Sequence, residues 1–452
     1  MRVYKKNKCI KLLETLDKAN GDILSDIQKG DNSGAAVLIG KCQQAAISVA
    51  KILEESAEEG VEAIRGLTVY CEKLFQLNND LNSNSSININ GIEKKLSKNI
   101  NHTINRIKYD IKSETQILFL PYKASMWDSF ETLWEKLCKD ENSNVVVMPI
   151  PYFDKNSDGS IKEMHYEIDQ YPKNVPVVSF EDYDFEINHP EKIYIHNPYD
   201  DMNYVTSVHP FFYSENMKKF TDELIYIPYF VLPEPKDPND KEYLERNKHY
   251  FINPAVRNAD RVIVQSENMK IAYVNVLTEY FGTDTKSIWE RKIEGTGSPK
   301  LERVKNLKEA DFDIPKDWMD KIYKKDGSKR KVVFYNIGVQ PLLNNNMDMI
   351  LKIKDTLKVF DEYKEEVTLL WRPHPLMMAT LTSMRMDLWE EYKKIVDSYI
   401  EEDFGIYDDS ADLDRAIAIS DAYYGDWSSV VTLYKETGKP IMIHNCNILT
   451  ED

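Results

Sequence analysis

Two short strings in the last quarter of the chain carry residue types suited to holding phosphate. One is YYGDWSSV, Tyr423 to Val430, in which an aromatic strand stops at Gly425 and a helix opens at Ser428 and Ser429. Free amides, the positive end of the helix dipole and two hydroxyls make such a turn an anion site, and the same residues also make an ordinary N-cap. Asp426 has two readings as well. It caps the helix and leaves the serines to a ligand, or it competes with a phosphate for the same amides. The other string is WRPHP, Trp371 to Pro375, at the end of the strand expected over VTLLW. Arg372 offers a planar, permanently charged fork, and His374 stands between prolines that fix the backbone and stop the sheet ladder. An imidazole there donates a proton or a hydrogen bond near neutral pH, or serves only the structure.

Three further stretches hold polar groups at expected strand ends or turns. PYKASMWD, Pro121 to Asp128, puts Lys123 and Trp127 after the first strand, where they line an acceptor side or form a surface turn. DKNSDGSIKEMH, Asp154 to His165, follows a calcium loop for eight positions, but His165 stands where a bidentate Glu is needed; it reads as a glycine turn. GTGSPK, Gly295 to Lys300, lacks the spacing of a P-loop and reads as a turn with a strand-end lysine. No metal and no cofactor is expected.

These groups need a scaffold, and the hydrophobic pattern supplies one. Residues 1–112 read as helical: AAVLIGKCQQAAISVAKILEES and GVEAIRGLTVYCEKLFQL flank a break at Glu58 to Gly60, and an Asn/Ser-rich linker starts near Leu77. Ile92, Leu96, Ile100, Ile104, Ile107 and Ile111 recur at steps of four and three, one apolar stripe for packing within the chain or between copies. From Gln116 short apolar runs alternate with helices, the pattern of a parallel sheet. QILFLP, NVVVMPIPYF, VPVVSF, KIYIHNP, ELIYIPYFV and RVIVQS are the strands of a first series, and Asp128 with Glu131 can form a capping box. After the charged linker DWMDKIYKKDGSKRK, the strands KVVFYNIG, VTLLWRPHP, FGIYDD, DAYYGD and PIMIHN make a second. The expected fold is an α-helical N-terminal domain (1–112) followed by two Rossmann-like doubly wound α/β domains (113–325 and 326–452). Open sheets of this kind bind ligands outside the carboxyl ends of their strands.

Composition limits the partners. The chain has 452 residues and a net charge of -17, which argues against general nucleic-acid binding, so an anionic ligand has to be held by local positive groups. Five cysteines, Cys9, Cys42, Cys71, Cys138 and Cys446, are odd in number and never form a CxxC pair. That fits a reducing cytoplasm better than a disulfide framework or a zinc knuckle. The N-terminal sequence has no signal-peptide core, and no run of ~18 uninterrupted apolar residues occurs, so membrane contact is expected to be peripheral, on the cytoplasmic face.

The segment from about Lys331 to Asn445, with RPHP, then GDWSSV and its helix, then GKPIMI, resembles the donor-binding domain of the CDP-glycerol glycerophosphotransferases, the teichoic acid polymerases. GTGSPKLERV, Gly295 to Val304, is similar to that family's Gly-x-Pro segment, and the likeness in layout runs from Gln116 to Asn445. It implies a GT-B-like fold with CDP-glycerol held mainly by the second α/β domain, and phosphate contacts from Arg372, His374, Ser428 and Ser429. The implied reaction moves glycerol phosphate to a hydroxyl of a polymer or glycolipid acceptor and releases CMP. The family's His-Gly-Thr-Pro-x-x-Lys loop is missing; His196, after the strand KIYI, is the positional stand-in for its base, with His209 the other candidate. Two alternatives keep the fold: a glycosyltransferase using a nucleotide sugar, and a catalytically degenerate scaffold whose N-terminal helices mediate oligomerisation.

Overall fold

The computed structural model of the chain describes residues 1–56, 58–83, 87–156, 158–374, 377–410 and 412–444. Pro375 and Cys446 lie outside the described residues. By its contacts the chain divides into two compact units. One comprises Met1–Leu120, Glu135–Ile195 and Asn203–Ile225, the other Pro121–Trp134, His196–Met202 and Tyr226–Asp452.

The first unit begins with four helices, α1 (Val3–Gln28), α2 (Asn32–Ser56), α3 (Val61–Asn82) and α4 (Ile89–Asp110). Each buries one stripe, and the stripes merge into one core that includes Leu13, Ile39, Leu67 and Leu74. Helix α1 packs on α2 and α4, and α3 packs on the same two, which closes a four-helix bundle. The stripe of α4 is core: Leu96, Ile100, Ile104, Ile107 and Ile111 are buried and Ile92 packs against them. The expected linker starts later than its composition suggests, because α3 runs through Asn78, Asn79 and Asp80 to Asn82. Leu77 and Leu81 on its buried side outweigh the weak helix propensity of asparagine. Helix α2 is long and apolar enough to cross a membrane, yet Ala35, Ile39, Cys42, Ala46, Val49 and Leu53 on one side of it face the bundle.

A buried carboxylate helps tie the bundle to the sheet, beside a backbone bridge from Arg2 to Glu114. Glu191 accepts from Arg2 Nη2 at 3.0 Å, from Tyr4 N at 2.7 Å and from Gln116 N at 2.7 Å. Strands β1 (Thr115–Leu120), β2 (Ser143–Val147), β5 (Lys192–Ile195) and β7 (Glu223–Tyr226) follow the order β2–β1–β5–β7, with β1 parallel to both its neighbours. The run NVVVMPIPYF is two strands. It leaves β2 at Val147, and β3 (Tyr152–Lys155) joins a separate antiparallel sheet between β4 (Ile161–His165) and β6 (Thr206–Val208). Prolines 149 and 151 cannot donate to a continued ladder. VPVVSF contributes only an isolated bridge, Val147 to Val177. The calcium-like string is the β3–β4 hairpin: Gly159 takes φ 84°, Asp158 accepts from the Ser160 hydroxyl, and Asp154 pairs with His165 at 2.9 Å.

The second unit holds β8 (Arg261–Ile263) parallel to β9 (Ile293–Glu294) and a five-stranded sheet. The latter is built from β10 (Lys331–Ile337), β11 (Val367–Pro373), β12 (Ile406–Tyr407), β13 (Ala422–Gly425) and β14 (Ile441–Ile443), all parallel in the order β12–β11–β10–β13–β14. Numbered from β10 this is 3-2-1-4-5, half of a Rossmann fold, with its switch point between β10 and β13. Both faces are covered. Helices Val339–Glu362 and Met386–Glu402 enclose one core with Tyr335 and Trp371, while Leu413–Ile419 and Ser429–Tyr434 enclose the other with Phe334 and Leu370. The fold class is the expected one, α-helical at the N-terminus and then α/β with parallel sheets.

Candidate functional site

The carboxyl ends of β10, β11 and β13 bring most of the phosphate-type residues to one edge. Asn336 pairs with Arg372 on one side and Gly425 on the other, so Arg372 and Gly425 are two strand spacings apart, roughly 10 Å. Gly425 is required there: a Cβ would lie 2.0 Å from the Asn336 carbonyl oxygen, which the adjacent strand cannot withdraw.

Asp426 does not cap the following helix. Its carboxylate turns to the β10 end and accepts from Gly338 N at 2.9 Å, while its own N–H donates to the Asn336 carbonyl at 3.1 Å. The Ser429 helix therefore starts with its first amides uncapped by any side chain. Ser428 has extended backbone, φ -147°, and its hydroxyl is shielded from solvent beside that of Tyr423. Tyr423 donates instead to the Asp426 carbonyl at 2.7 Å. Ser429 is exposed, and Trp427, 54% exposed, carries the Lys435 ammonium 4.3 Å from its ring centroid. The helix ends in a 3-10 turn, Lys435–Thr437, closed by left-handed Gly438 at φ 68°.

Arg372 is placed differently from a free phosphate fork. It points to the same face as Leu370 and is buried, with Nη1 2.5 Å from Asp408 Oδ2 and Nη2 2.6 Å from the Ser410 carbonyl. Asp408, fully buried, also accepts from Ser410 N and Oγ, and Arg415 approaches it at 3.7 Å. The guanidinium so organises the loop after β12. His374 follows directly after β11, half-buried, and burial lowers the pKa of its ring. His444, which sequence reasoning passed over, continues β14 beside Asp426. It is buried, and its Nδ1 lies 3.7 Å from the Asp426 carboxylate.

A second group of side chains gathers where the segments after β1 and β5 meet. His196 is fully buried with both ring nitrogens engaged: Nε2 accepts from Tyr122 N at 2.9 Å and Nδ1 lies 2.9 Å from Ser129 Oγ. Ser129 Oγ donates to the Met126 carbonyl, which leaves it to accept and assigns the proton to Nδ1. Phe130 stacks on the ring at 4.8 Å, and desolvation, helped by the Lys300 charge, lowers the imidazole pKa to about 3. His196 is a neutral strut in this arrangement. Lys123 precedes the 3-10 turn Ala124–Ser129 with its ammonium 5.6 Å from the Tyr122 ring centroid, and Trp127 is buried within that turn. His209, in the first unit, caps the turn Pro210–Phe212 by accepting from Phe211 N at 3.3 Å.

Beside His196 stand residues read earlier only as a capping box and a turn lysine. Asp128 spends one oxygen on Lys300 at 2.8 Å, and Glu131 is paired with Arg303, which also reaches Asp414 at 2.5 Å. The signal was present in the spacing. Lys300 and Arg303 are three apart on the helix Pro299–Asn306 and so share a face, while Asp128 and Glu131, at the end of the turn and the start of the next helix, carry the opposite charge.

No family model matches the chain, and no curated protein matches it. Some solved structures are similar. The UDP co-structure of S. aureus MnaA is 12% identical, with 73% of this chain and 78% of that one covered and a TM-score of 0.42. A putative UDP-N-acetylglucosamine 2-epimerase from Listeria monocytogenes is 13% identical over 73% and 79%, at 0.43. The wall teichoic acid polymerase TagF, in a structure soaked with CDPG, is 14% identical over 83% and 79%, at 0.37.

Proposed function

We propose that the chain is a transferase that takes a nucleoside diphosphate-linked donor, CDP-glycerol in the first instance, and moves glycerol phosphate to an acceptor hydroxyl. The oxygen of the acceptor attacks the glycerol-bearing phosphorus, the bond to CMP breaks, and CMP leaves with the electron pair. Such transfer rests on positioning and on neutralising charge. The observation that carries the reading is Ser428: a hydroxyl beside that of Tyr423, on a helix start that Asp426 leaves uncapped, at the switch point of a Rossmann-like sheet. The Ser428 and Ser429 hydroxyls and the first helix amides hold the diphosphate, His374 adds a donor from β11, and Gly425 permits the close approach of the backbone. Arg372 acts through Asp408 and Ser410 as a positioning residue. The acceptor is a polymer or glycolipid met at the cytoplasmic face of the membrane, with Lys123 on its side.

Calorimetry with CDP-glycerol, UDP-N-acetylglucosamine and CMP tests this. Ser428→Ala is expected to weaken donor binding about tenfold, the worth of one hydrogen bond to a charged group, and to leave the ligand-free chain folded. Absence of heat with every nucleotide would remove the reading. The engagement of Arg372 favours one alternative, a binding scaffold without turnover; it predicts nucleotide heat but no CMP release.

A further inference from the structure

Strands β1, β5 and β7, neighbours in one sheet, are each followed within a few residues by a tyrosine: Tyr122, Tyr199 and Tyr229. Segments that leave the carboxyl ends of such strands are where open α/β sheets bind ligands. All three tyrosines belong to the second unit, as does Tyr250 on the helix Lys241–Phe251. Their rings form a continuous row. Between centroids, Tyr122 lies 6.2 Å from Tyr229, Tyr229 5.5 Å from Phe230, Phe230 4.9 Å from Tyr250, and Tyr250 3.9 Å from His249. Phe230 also lines a small cavity with Pro228, Gln265, Tyr273 and Ser298.

The hydroxyls set this row apart from the core. Tyr273, fully buried, spends its hydroxyl on the Tyr250 carbonyl at 3.4 Å. Tyr199, Tyr229 and Tyr250 are half-buried, and among the described residues their hydroxyls have no hydrogen bond. Burial raises the pKa of Tyr199 and of Tyr229. Nearby phenols add to the rise, those of Tyr229 and Tyr250 acting on Tyr199 and those of Tyr122 and Tyr250 on Tyr229. The phenols therefore stand within electrostatic reach of one another and stay protonated, so each can donate one hydrogen bond and accept another. Tyr199 is held by a tight turn, with Met202 N on its carbonyl at 2.7 Å and Asp200 in the left-handed region at φ 49°.

We propose that this tyrosine row binds a sugar unit of a glycan. A pyranose ring has an apolar C–H face that packs on an aromatic ring and a rim of hydroxyls that donate and accept, and the row offers the counterpart of both. A purely apolar ligand would strand the phenols without water or partner, which costs free energy. A phosphate would meet phenols rather than cations along most of the row, Lys123 at its Tyr122 end excepted. The inference goes beyond the transferase reading and does not depend on it.

The test is calorimetry of the full chain with maltotetraose, cellotetraose and N,N′-diacetylchitobiose, with a tyrosine ultraviolet difference spectrum recorded alongside. At least one of the three is expected to bind and to perturb the tyrosine absorbance. Tyr229→Phe keeps the ring and removes the hydroxyl, and should weaken that binding about three- to tenfold. Tyr229→Ala removes both and should weaken it about thirtyfold. Tyr250→Phe, a second conservative change, serves if Tyr229→Ala fails to fold. Tyr280→Phe, an exposed ring on the helix Glu267–Phe281, should bind as the wild type does. No binding of any of the three sugars by the wild type, or wild-type binding by both Tyr229→Phe and Tyr250→Phe, overturns the inference. So does binding of phenol or cytidine without binding of sugar, which makes the row a stacking site for a planar ring. Nucleotide heat is read separately: its absence removes the transferase reading and leaves this inference to the sugar result.

Discussion

Burial of His196 makes a quantitative prediction about pH. The folded protein keeps this imidazole neutral, with a pKa of about 3, whereas in the unfolded chain it takes up a proton near pH 6.5. Between those values the unfolded state binds more protons than the folded one, so stability falls as pH drops below 6.5 and stops falling near pH 3. At pH 5 the penalty is RT ln(1 + 10^1.5), about 2 kcal/mol, and it does not depend on where the folded pKa lies as long as that is well below 5. His196→Gln isolates the effect, because a glutamine oxygen can accept from Tyr122 N and has no charge to gain. Urea unfolding followed by tryptophan fluorescence at pH 7.5 and pH 5 should show the wild type losing about 2 kcal/mol more than the variant. In 15N-histidine-labelled protein the ring should show the Nδ1–H tautomer and stay unchanged from pH 8 to pH 5. A resonance of His196 that titrates near pH 6.5, or unfolding curves whose separation does not change with pH, would refute the account of this residue as a desolvated strut.

Arg372→Ala should destabilise the ligand-free chain by about 3–5 kcal/mol, because it strands Asp408 as a buried charge, and Arg372→Met with Asp408→Asn should recover most of that loss in the same urea assay. Gly425→Ala should cost about 3 kcal/mol or more and lower the yield of folded protein, as its methyl would meet the Asn336 carbonyl; the check is the thermal midpoint beside that of Gly438→Ala, whose Cβ meets nothing within 4 Å. Lys439 donates to the carbonyls of Ile417, Ala418 and Ser420 at 2.6–3.1 Å, so Lys439→Met should cost about 1–3 kcal/mol and speed amide exchange at the end of the Leu413–Ile419 helix.

The elements of the second sheet were legible because their signals are local. KVVFYNIG and VTLLW are apolar runs of strand length, and each precedes a helix of 3.6-residue period, which only a buried parallel strand and its crossover satisfy. Their parallel order also put Arg372 and Gly425 at the same edge. Where local signals competed, the reading slipped. VPVVSF has β-branched residues but forms only a bridge at Val177, and the Asn-rich end of α3 stayed helical because Leu77 and Leu81 had a core to enter.

The sequence by itself determined the strands and helices of the second sheet, the stripe that α4 buries, and the glycine at which β13 must stop, since side-chain period and backbone freedom are properties of neighbours along the chain. Only the tertiary structure decided what each polar group is free to do. Arg372 meets Asp408 across 36 residues, His196 meets Tyr122 across 74, and Lys300 meets Asp128 across 172. Whether a charge faces a ligand or a partner of its own depends on desolvation and on distances of a few ångströms, and those are set by how the sheets and helices pack.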